Sequence, residues 1–413
     1  GSASWITSLY SQSAVAKIWG VALRGLAMRR PPTRYPEYTK PGVAPYEYTS
    51  LDFWTSGFFP GSLYLVYERA RRWDNHIPYM PQLSLLKMRH ACEWWTANLH
   101  SQAGRTDTHD LGFMVMPWAH LGWELDGDRQ CYQSMVAAAY ALASRFDRKI
   151  GAIRSWDTCV TKRYRFTEPR DAFLVIIDSM MNLNLLFYVA ELVQNPALAE
   201  IAKTHATTLL DSHIRPDDST YHVVDFDQTS AKIKQRFTNQ GFSDDSCWAR
   251  GQAWGIAGYA QTFAWTKEPR FLDASKRLAD YFMSRLPKDG VPYWDFDAPK
   301  PGPRDTSAAL VAAYGMLLLY KSAPNESSQY LNAAIRVIDA VVNMALAPEA
   351  RLAPSENQDQ EDRVELGGSD TIVLRATINN YEFAPRRWAD HGLVYADYYF
   401  LLVGNLMLEM GLV

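Results

Sequence analysis

The feature that most constrains the fold of this chain is the helical spacing of its apolar residues. Apolar positions recur every three or four residues in one stretch before residue 30 and in eleven later stretches. The later stretches lie near residues 60–73, 82–100, 112–124, 129–147, 179–192, 195–213, 246–266, 270–286, 306–321, 327–346 and 393–411. Only short runs, such as residues 221–226, alternate as a strand would. We therefore predict an all-α protein of about twelve helices.

The predicted helices follow one another as hairpins without a strict repeat motif. Paired helices can form either an open solenoid or a closed ring, and the missing repeat favours the ring. Plausible N-caps precede four of the helices, at Asp128, Asn195, Asp244 or Asp245, and Asp305. Long loops near residues 30–50, 214–243, 287–305 and 350–392 are expected to shape a site at one end of the ring. Because no Pro/Gly/Ser-rich linker separates two cores, we expect residues 1–413 to form a single domain.

Composition limits the classes of function. Hydrophobic residues make up 47% of the chain and its formal charge is −3, which favours a large globular core and disfavours nucleic acid as a partner. No apolar run has the length of a membrane span, so no membrane partner is expected. Gly1-Ser2 looks like a cloning remnant, so any signal peptide would be missing and the compartment, cytoplasmic or secreted, stays open.

The cysteines and paired aspartates do not predict a metal site. No Cys-x-x-Cys pair occurs, and free buried thiols are expected for Cys92, Cys131, Cys159 and Cys247. Asp295 and Asp297 lie close together, but without further oxygen ligands they are expected to tie the loop. Since neither a His-Glu-x-x-His motif nor a nucleotide-binding glycine loop is found, we predict no metal and no organic cofactor.

Residues 243–254 form the densest cluster of groups that could bind a ligand. Trp248, Arg250, Gln252 and Trp254 fall within seven residues at the start of a helical stretch. Arg250 and Trp254 are four residues apart and would share a helix face. An indole beside a guanidinium suits a sugar ring that carries a carboxylate. The alternative is an amphipathic helix with a core tryptophan and a surface arginine.

Two aspartates precede apolar runs. Asp178 follows the run Ala172-Phe-Leu-Val-Ile-Ile177, where an ionised carboxylate is expensive to bury. Desolvation raises the pKa of a carboxyl group and lets it act as a proton donor near neutral pH. Asp110 has a similar setting. The alternative for both residues is a helix N-cap, for Asp178 of a helix that begins near Ser179.

Seven motifs occur in order along the chain. They are Phe53-Trp-Thr-Ser-Gly-Phe-Phe-Pro-Gly61, His109-Asp-Leu-Gly-Phe113, Ile176-Ile-Asp-Ser-Met-Met-Asn-Leu183, the stretch from Gln240 to Trp254, Val291-Pro-Tyr-Trp-Asp-Phe-Asp297, Arg304-Asp-Thr-Ser-Ala-Ala309 and Tyr395-Ala-Asp-Tyr-Tyr-Phe400. In this order the chain resembles the unsaturated glucuronyl hydrolases, family 88 of the glycoside hydrolases. The resemblance implies an (α/α)6 barrel of six helical hairpins.

The resemblance also implies roles for individual residues. Asp178 would be the catalytic acid and base, and Asp110 would be the second acidic residue, in contact with sugar hydroxyls. The substrate-binding residues that it implies are Trp54, Trp156, His222, Gln240, Arg250 and Trp254. Arg250 and Gln240 would lie around the uronate, so Arg250→Ala is expected to weaken uronate recognition more than it harms folding. By residue type alone, core packing is the alternative for the tryptophans and a structural hydrogen bond for His222.

The implied reaction removes a 4,5-unsaturated uronic acid from the non-reducing end of an oligosaccharide made by a polysaccharide lyase. It proceeds by hydration of the C4=C5 enol ether. An unsaturated rhamnogalacturonyl hydrolase, an ordinary inverting glycosidase with Asp110 as base, and a carbohydrate-binding toroid without catalysis are the alternatives. Residues 350–392, including Glu361-Asp-Arg-Val-Glu365, depart from the family pattern, which leaves the leaving-group sugar and the tolerance for sulfate open. Oligomeric state is also undetermined.

Overall fold

The computed structural model describes residues 4–76, 78, 80, 82–353 and 363–413, and these residues are mainly helical. The thirteen α-helices of this part of the chain are α1 (Ser4–Leu9), α2 (Gln12–Leu26), α3 (Phe58–Arg72), α4 (Leu85–Thr96), α5 (Leu111–Asp126), α6 (Arg129–Ala143), α7 (Leu183–Leu192), α8 (Pro196–Ser212), α9 (Ala249–Thr266), α10 (Pro269–Ser284), α11 (Thr306–Ser322), α12 (Ser328–Ala345) and α13 (Val394–Glu409). All eleven stretches predicted after residue 50 contain a helix. The stretch before residue 30 holds two.

Six of the helices close into an inner ring. Each of α3, α5, α7, α9, α11 and α13 contacts the next, and α13 returns to contact α3. The six helices α2, α4, α6, α8, α10 and α12 each precede or follow an inner helix and pack against its outer side. This arrangement is the predicted (α/α)6 barrel. The short α1 is an addition that packs against α12 and α13.

The two layers differ in how their side chains are buried. Helix α9 belongs to the inner ring and is buried on all sides from Ala249 to Phe263. Outer helix α10 buries one face, on which Phe271, Leu278 and Phe282 recur with helical spacing. Inner helices also approach closely: a Cβ on Gly315 of α11 would lie 2.8 Å from the backbone nitrogen of Ala257 in α9. Burial on all sides thus marks inner helix α9 and amphipathicity marks outer helix α10, whereas outer helix α2 is an exception that is buried without a break from Ala14 to Ala22.

The segments between the helices contain short strands, and the helical spacing of the sequence did not predict most of them. The strands are Arg34–Thr39, Tyr46–Ser50, Phe146–Asp147, Ala152–Ile153, Cys159–Val160, Arg165–Phe166, Leu174–Ile176, Val223–Phe226, Ile233–Phe237, Arg351–Ala353 and Arg363–Glu365. Only the run at residues 221–226 was recognised, since strands of two to six residues are too short for a period to be read. Leu174–Ile176, Val223–Phe226 and Ile233–Phe237 form an antiparallel sheet.

Three of the four predicted caps are confirmed. The carboxylates of Asp128 and Asp305 and the amide of Asn195 accept hydrogen bonds from the first turns of α6, α11 and α8. The prediction for Asp244 or Asp245 is wrong, because α9 begins later, with Trp248 at its N-cap position. Asp244 instead accepts the Thr238 backbone N–H at 3.0 Å.

Other expectations for the loops and the surface can be compared with the structure. The four cysteines are free and buried, as predicted. Asp295 accepts the backbone N–H groups of Phe242 and Asp297, which confirms its role as a loop tie. Among the described residues, no helix combines the length and apolar character that crossing a membrane requires. Gly1, Ser2, Glu361 and Asp362 lie outside the described residues.

Candidate active site

The N-terminal ends of the inner helices meet at one end of the barrel and enclose a pocket. Asp110 lies directly before α5, Asp178 lies before α7, and Arg250 is in the first turn of α9. The pocket has about 330 Å³ of empty space and is lined by Trp54, Asp110, Trp156, Asp178, Gln240, Trp248, Arg250 and Trp254. Seven of the eight residues predicted from sequence thus line one cavity, although they are spread over 200 positions between Trp54 and Trp254.

Asp178 is held by the junction of a strand and a short helix. The strand Leu174–Ile176 belongs to the three-stranded sheet, and a 3-10 helix follows it from Ile177 to Asn182. The junction is fixed by the backbone N–H of Ile177, which donates to the carbonyl of His222. The Asp178 side chain is 13% exposed, and its Oδ1 has no hydrogen-bond partner among the described residues. Since α7 begins only at Leu183, Asp178 is not its N-cap. The cap alternative therefore fails for this residue.

Asp110 occupies a cap position without capping the helix. Its side chain makes no hydrogen bond to the first turn of α5. Instead, the Thr108 hydroxyl donates to Asp110 Oδ2 at 3.1 Å. His109, which is fully buried, places Nε2 3.1 Å from Asp110 Oδ1 and 3.9 Å from Asp178 Oδ2. The carboxylate of Asp110 is therefore directed into the pocket, beside an imidazole.

The two carboxylates and the imidazole form one electrostatic group. One oxygen of each aspartate and one ring nitrogen of His109 all lie within 4.8 Å of one another. Burial raises the pKa of Asp178 to about 6, the nearby His109 opposes this shift, and the charge of Asp110 adds to it. Burial alone would lower the pKa of His109, but the Asp110 and Asp178 carboxylates raise it overall. The titrations of Asp178 and His109 are therefore linked to each other.

A single ion could also be bound by these three side chains. Two carboxylates and an imidazole are common ligands for divalent metals. The expectation that the protein uses no metal therefore stays a prediction.

Four tryptophans supply the apolar walls of the pocket. Trp54 packs against Phe113, with ring centroids 5.4 Å apart, and Phe113 in turn packs against Trp254 at 5.1 Å. The ring centroid of Trp156 lies 6.4 Å from that of the His109 imidazole. Thr108, which precedes His109, forms an antiparallel backbone bridge with Trp156. Such rigid aromatic faces suit stacking against a sugar ring.

His222 does not line the pocket. Its ring lies behind the wall, 4.5 Å from the ring of Trp248. The Asn239 backbone N–H donates to His222 Nδ1 at 3.1 Å, so the neutral ring carries its proton on Nε2. This Nε2 has no partner among the described residues, and burial lowers the pKa of His222 to about 3. His222 is therefore a neutral donor that supports Trp248, and its predicted contact with substrate stays a prediction.

Arg250 lines the pocket but most of its guanidinium is already bonded. Nη1 donates to Asp305 Oδ2 and to the Thr377 carbonyl, both at 2.7 Å, and Nη2 donates to the Ile378 carbonyl at 2.6 Å. The side chains of Arg250 and Asp305 are 1% and 0% exposed. Only Nε lacks a partner among the described residues. Arg250 is therefore not the surface arginine of the alternative interpretation. It is also not a free cation for the uronate, because its charge is already paired with Asp305.

Arg250→Ala is consequently expected to harm folding as well as binding, unlike the sequence-based expectation. The substitution leaves the buried Asp305 carboxylate without its partner, which costs about 3–5 kcal/mol in the free energy of unfolding. Urea denaturation of both proteins measures this difference. Arg89→Ala is the matched control, because Arg89 pairs with Glu93 on an exposed helix face and its loss should cost less than about 1 kcal/mol. If both substitutions lowered the free energy of unfolding by the same amount, the buried pair of Arg250 and Asp305 would stabilise the fold no more than an exposed pair does.

Two residues of the site were not assigned from sequence. Trp248 belongs to the cluster at residues 243–254 but received no role, and the structure places it in the pocket wall over Arg250, at 4.6 Å. His109 belongs to the motif His109-Asp-Leu-Gly-Phe113 but likewise received no role. Its position directly before Asp110 was the available signal, but its approach to Asp178 depends on a contact across 69 residues.

Comparisons of the whole chain with known proteins find similar enzymes. No family model matches the chain. An unsaturated glucuronyl hydrolase of Formosa agariphila is 33% identical over 361 residues, which cover 84% of this chain and 78% of that protein. An unsaturated chondroitin disaccharide hydrolase of Streptococcus pneumoniae is 30% identical over 84% of this chain and 80% of that protein. The crystal structure of an unsaturated glucuronyl hydrolase specific for heparin aligns with a TM-score of 0.79 at 29% identity, over 99% of this chain and 98% of that one.

Proposed function

The chain belongs to the unsaturated glucuronyl hydrolase family, and from this premise we propose how the residues of its pocket divide the work. It is a glycoside hydrolase that removes an unsaturated uronic acid from an oligosaccharide. We assign catalysis to Asp178 and Asp110 and substrate binding to the aromatic and polar residues around them. The observation that carries this assignment is the buried Asp178 carboxyl, which lies in a pocket walled by tryptophans and whose Oδ1 has no partner in the described part of the chain.

The proposed reaction begins with the double bond of the uronate. Protonated Asp178 donates its proton to C4, and positive charge develops on C5 and the ring oxygen. Water then adds to C5 and gives up a proton to the Asp178 carboxylate, which restores the acid. The C5 hemiketal opens by cleavage of its bond to the ring oxygen. This leaves a hemiacetal at C1, which expels the remaining sugar as an alcohol and yields a keto acid.

Asp178 has the environment that this acid needs. Burial holds its pKa near 6, so that a substantial fraction is protonated close to neutral pH. After proton transfer, the neighbouring His109 stabilises the carboxylate that forms, because its own pKa is raised. A single residue can therefore act first as acid and then as base.

The other pocket residues position the uronate. We propose that Asp110 accepts hydrogen bonds from sugar hydroxyls with the oxygen that faces the pocket, while Thr108 holds the other oxygen. Trp54, Trp156 and Trp254 stack against the ring and exclude water. The uronate carboxylate is met by Gln240, by the Nε–H of Arg250 and by the positive N-terminal ends of the inner helices.

The separation of the carboxylates disfavours the ordinary inverting mechanism. That mechanism places a water between an acid and a base about 6.5–9.5 Å apart. Here one oxygen of Asp110 and one of Asp178 lie within 4.8 Å of each other. This separation is shorter than the one that holds an intervening water, which disfavours Asp110 as a separate base.

Ultraviolet absorbance tests the proposed reaction directly. Hydration of C4=C5 removes the conjugated enol ether, so the absorbance of an unsaturated disaccharide should fall in step with release of the second sugar. An ordinary glycosidase would release the sugar and leave the absorbance unchanged, and a binding protein without catalysis would do neither. Either of these results would contradict the proposal. Running the assay on lyase products of heparin, chondroitin and rhamnogalacturonan would also identify the leaving-group sugar.

A further inference from the structure

A second cavity lies inside the barrel, at the end opposite the candidate active site. It contains about 1230 Å³ of empty space, part of it open to solvent, and its walls come mainly from α3, α5, α9, α11 and α13. Along α5, lining residues run from Gly112 to Glu124, a distance of roughly 18 Å at 1.5 Å per residue. The cavity therefore follows the barrel axis from below the active site to the C-terminal ends of the inner helices.

A layer of aromatic rings separates the two cavities. Phe113 and Phe58 line the second cavity and pack against Trp54 of the active site, at 5.4 and 5.9 Å between ring centroids. Among the residues that the structure describes, none lines both the second cavity and the catalytic pocket. A ligand of the second cavity would therefore occupy a site of its own.

The interior of the second cavity presents hydrogen-bond acceptors. Gln261 is 9% exposed and lines the cavity, and its Oε1 has no partner among the described residues. Its Nε2 donates to the Tyr314 hydroxyl at 3.1 Å. A buried acceptor without a donor is costly, and a ligand with an N–H or O–H group would satisfy it.

Aromatic side chains form much of the remaining wall. The rings that line the cavity are those of Phe58, Phe113, Tyr314, Tyr398 and Tyr399. Tyr399 lies 5.1 Å from Tyr398 and 5.8 Å from Tyr314, so the three phenols are adjacent. Burial raises the pKa of Tyr314 to about 12, which keeps this phenol neutral. The faces of such rings carry partial negative charge and attract cations.

The charged residues of the cavity are paired with one another. Three carboxylates line it, from Glu68, Glu124 and Glu409, together with the permanent cations Arg72 and Lys321 and the imidazole of His120. Arg72 contacts Glu68, Lys321 contacts Glu409 and His120 contacts Glu124, each at 3.0 Å. An anionic ligand would meet no unpaired permanent cation among the described lining residues, whereas a cation would meet a buried acceptor and aromatic rings.

We propose that this second cavity is a binding site for a small organic ammonium ion, independent of the hydrolytic site. The ammonium group would lie against the faces of the tyrosines, and an N–H or O–H group of the ligand would donate to Oε1 of Gln261. The site goes beyond the hydrolysis of an unsaturated uronic acid, since it shares no described lining residue with the hydrolytic pocket.

The first test compares two probes that differ only in charge. Isothermal titration of the full chain with choline, and separately with its neutral carbon analogue 3,3-dimethylbutan-1-ol, measures affinity for the same shape with and without a cation. Choline should bind and the neutral analogue should bind at least roughly fivefold more weakly, as expected for loss of a cation–π contact. Equal affinities, or no binding of choline at millimolar concentration, would overturn the proposal.

The second test locates the binding. Tyr314→Leu removes one aromatic face from the cavity and should weaken choline binding roughly five- to tenfold. Tyr320→Leu is the matched control, because Tyr320 lies on the same helix, α11, but does not line the cavity. Circular dichroism checks that both variants fold. If both variants weaken choline binding equally, or neither does, the cation is bound elsewhere and the assignment fails; the comparison of probes on the unaltered chain decides the matter if Tyr314→Leu does not fold.

Discussion

Asp178→Asn is expected to lower kcat by about 10²–10⁴-fold while the protein stays folded. An amide has no proton to donate to C4 and cannot accept one from water, so both proposed proton transfers are lost. The substitution preserves the size of the side chain, and substrate binding should change far less than kcat. Steady-state kinetics, followed by the loss of enol-ether absorbance, measure both quantities.

The same variant should be more stable than the unaltered protein near neutral pH. Below about pH 3.8 the carboxyl of Asp178 is protonated in both the folded and the unfolded chain. As pH rises from there to about 6, the unfolded chain loses its proton first, because burial raises the folded-state pKa to about 6. The unaltered protein therefore loses stability across this window, and Asp178→Asn does not. Urea denaturation at several pH values between 4 and 7 should show a difference that grows with pH.

A buried aspartate outside the pocket serves as the control for the effect on kcat. Asp225 is fully buried and accepts a hydrogen bond from the Phe173 backbone N–H at 3.1 Å. Asp225→Asn should keep kcat within a few-fold of the unaltered protein. If Asp178→Asn behaved in the same way, Asp178 would not be the acid and its burial would be only structural.

Asp110→Asn is expected to lower kcat/KM by roughly ten- to over a hundredfold, because a charge-assisted hydrogen bond to the sugar is replaced by a neutral one. The pH–rate profile should change too, since Asp110 acts on the pKa of Asp178 directly and also through His109. Measurement of kcat/KM across pH 4 to 8 tests both expectations.

His109→Gln separates the two influences on Asp178. It removes the positive partner of Asp178 but keeps Asp110, so the pKa of Asp178 should rise and its limb of the pH–rate profile should move to higher pH.

For the Asp110→Asn variant, a normal pH–rate profile together with normal turnover would contradict the proposed role. Asp110 would then be a structural residue that orders the turn before α5.

Particular residues show how far the site could be predicted from sequence. Asp178 was recognisable because an aspartate that ends an apolar run is unusual, and its motif resembles that of a known family. Arg250 was correctly placed near Trp254 in the pocket, since a spacing of four puts two side chains on one helix face. Its bond to Asp305, however, joins positions 55 apart, and no local pattern reports such a pair.

The periodicity of the sequence by itself determined the helices and, with the resemblance, the barrel and the chemical groups of the site. Helix spacing is visible in sequence because it depends on residues three or four apart. The sequence also predicted that Asp305 caps α11. Only the tertiary structure decided that Asp305 neutralises Arg250 as well, and that Asp110 stands at a cap position but turns into the pocket. These outcomes depend on burial and on distances between different hairpins, and both arise only when the inner ring closes.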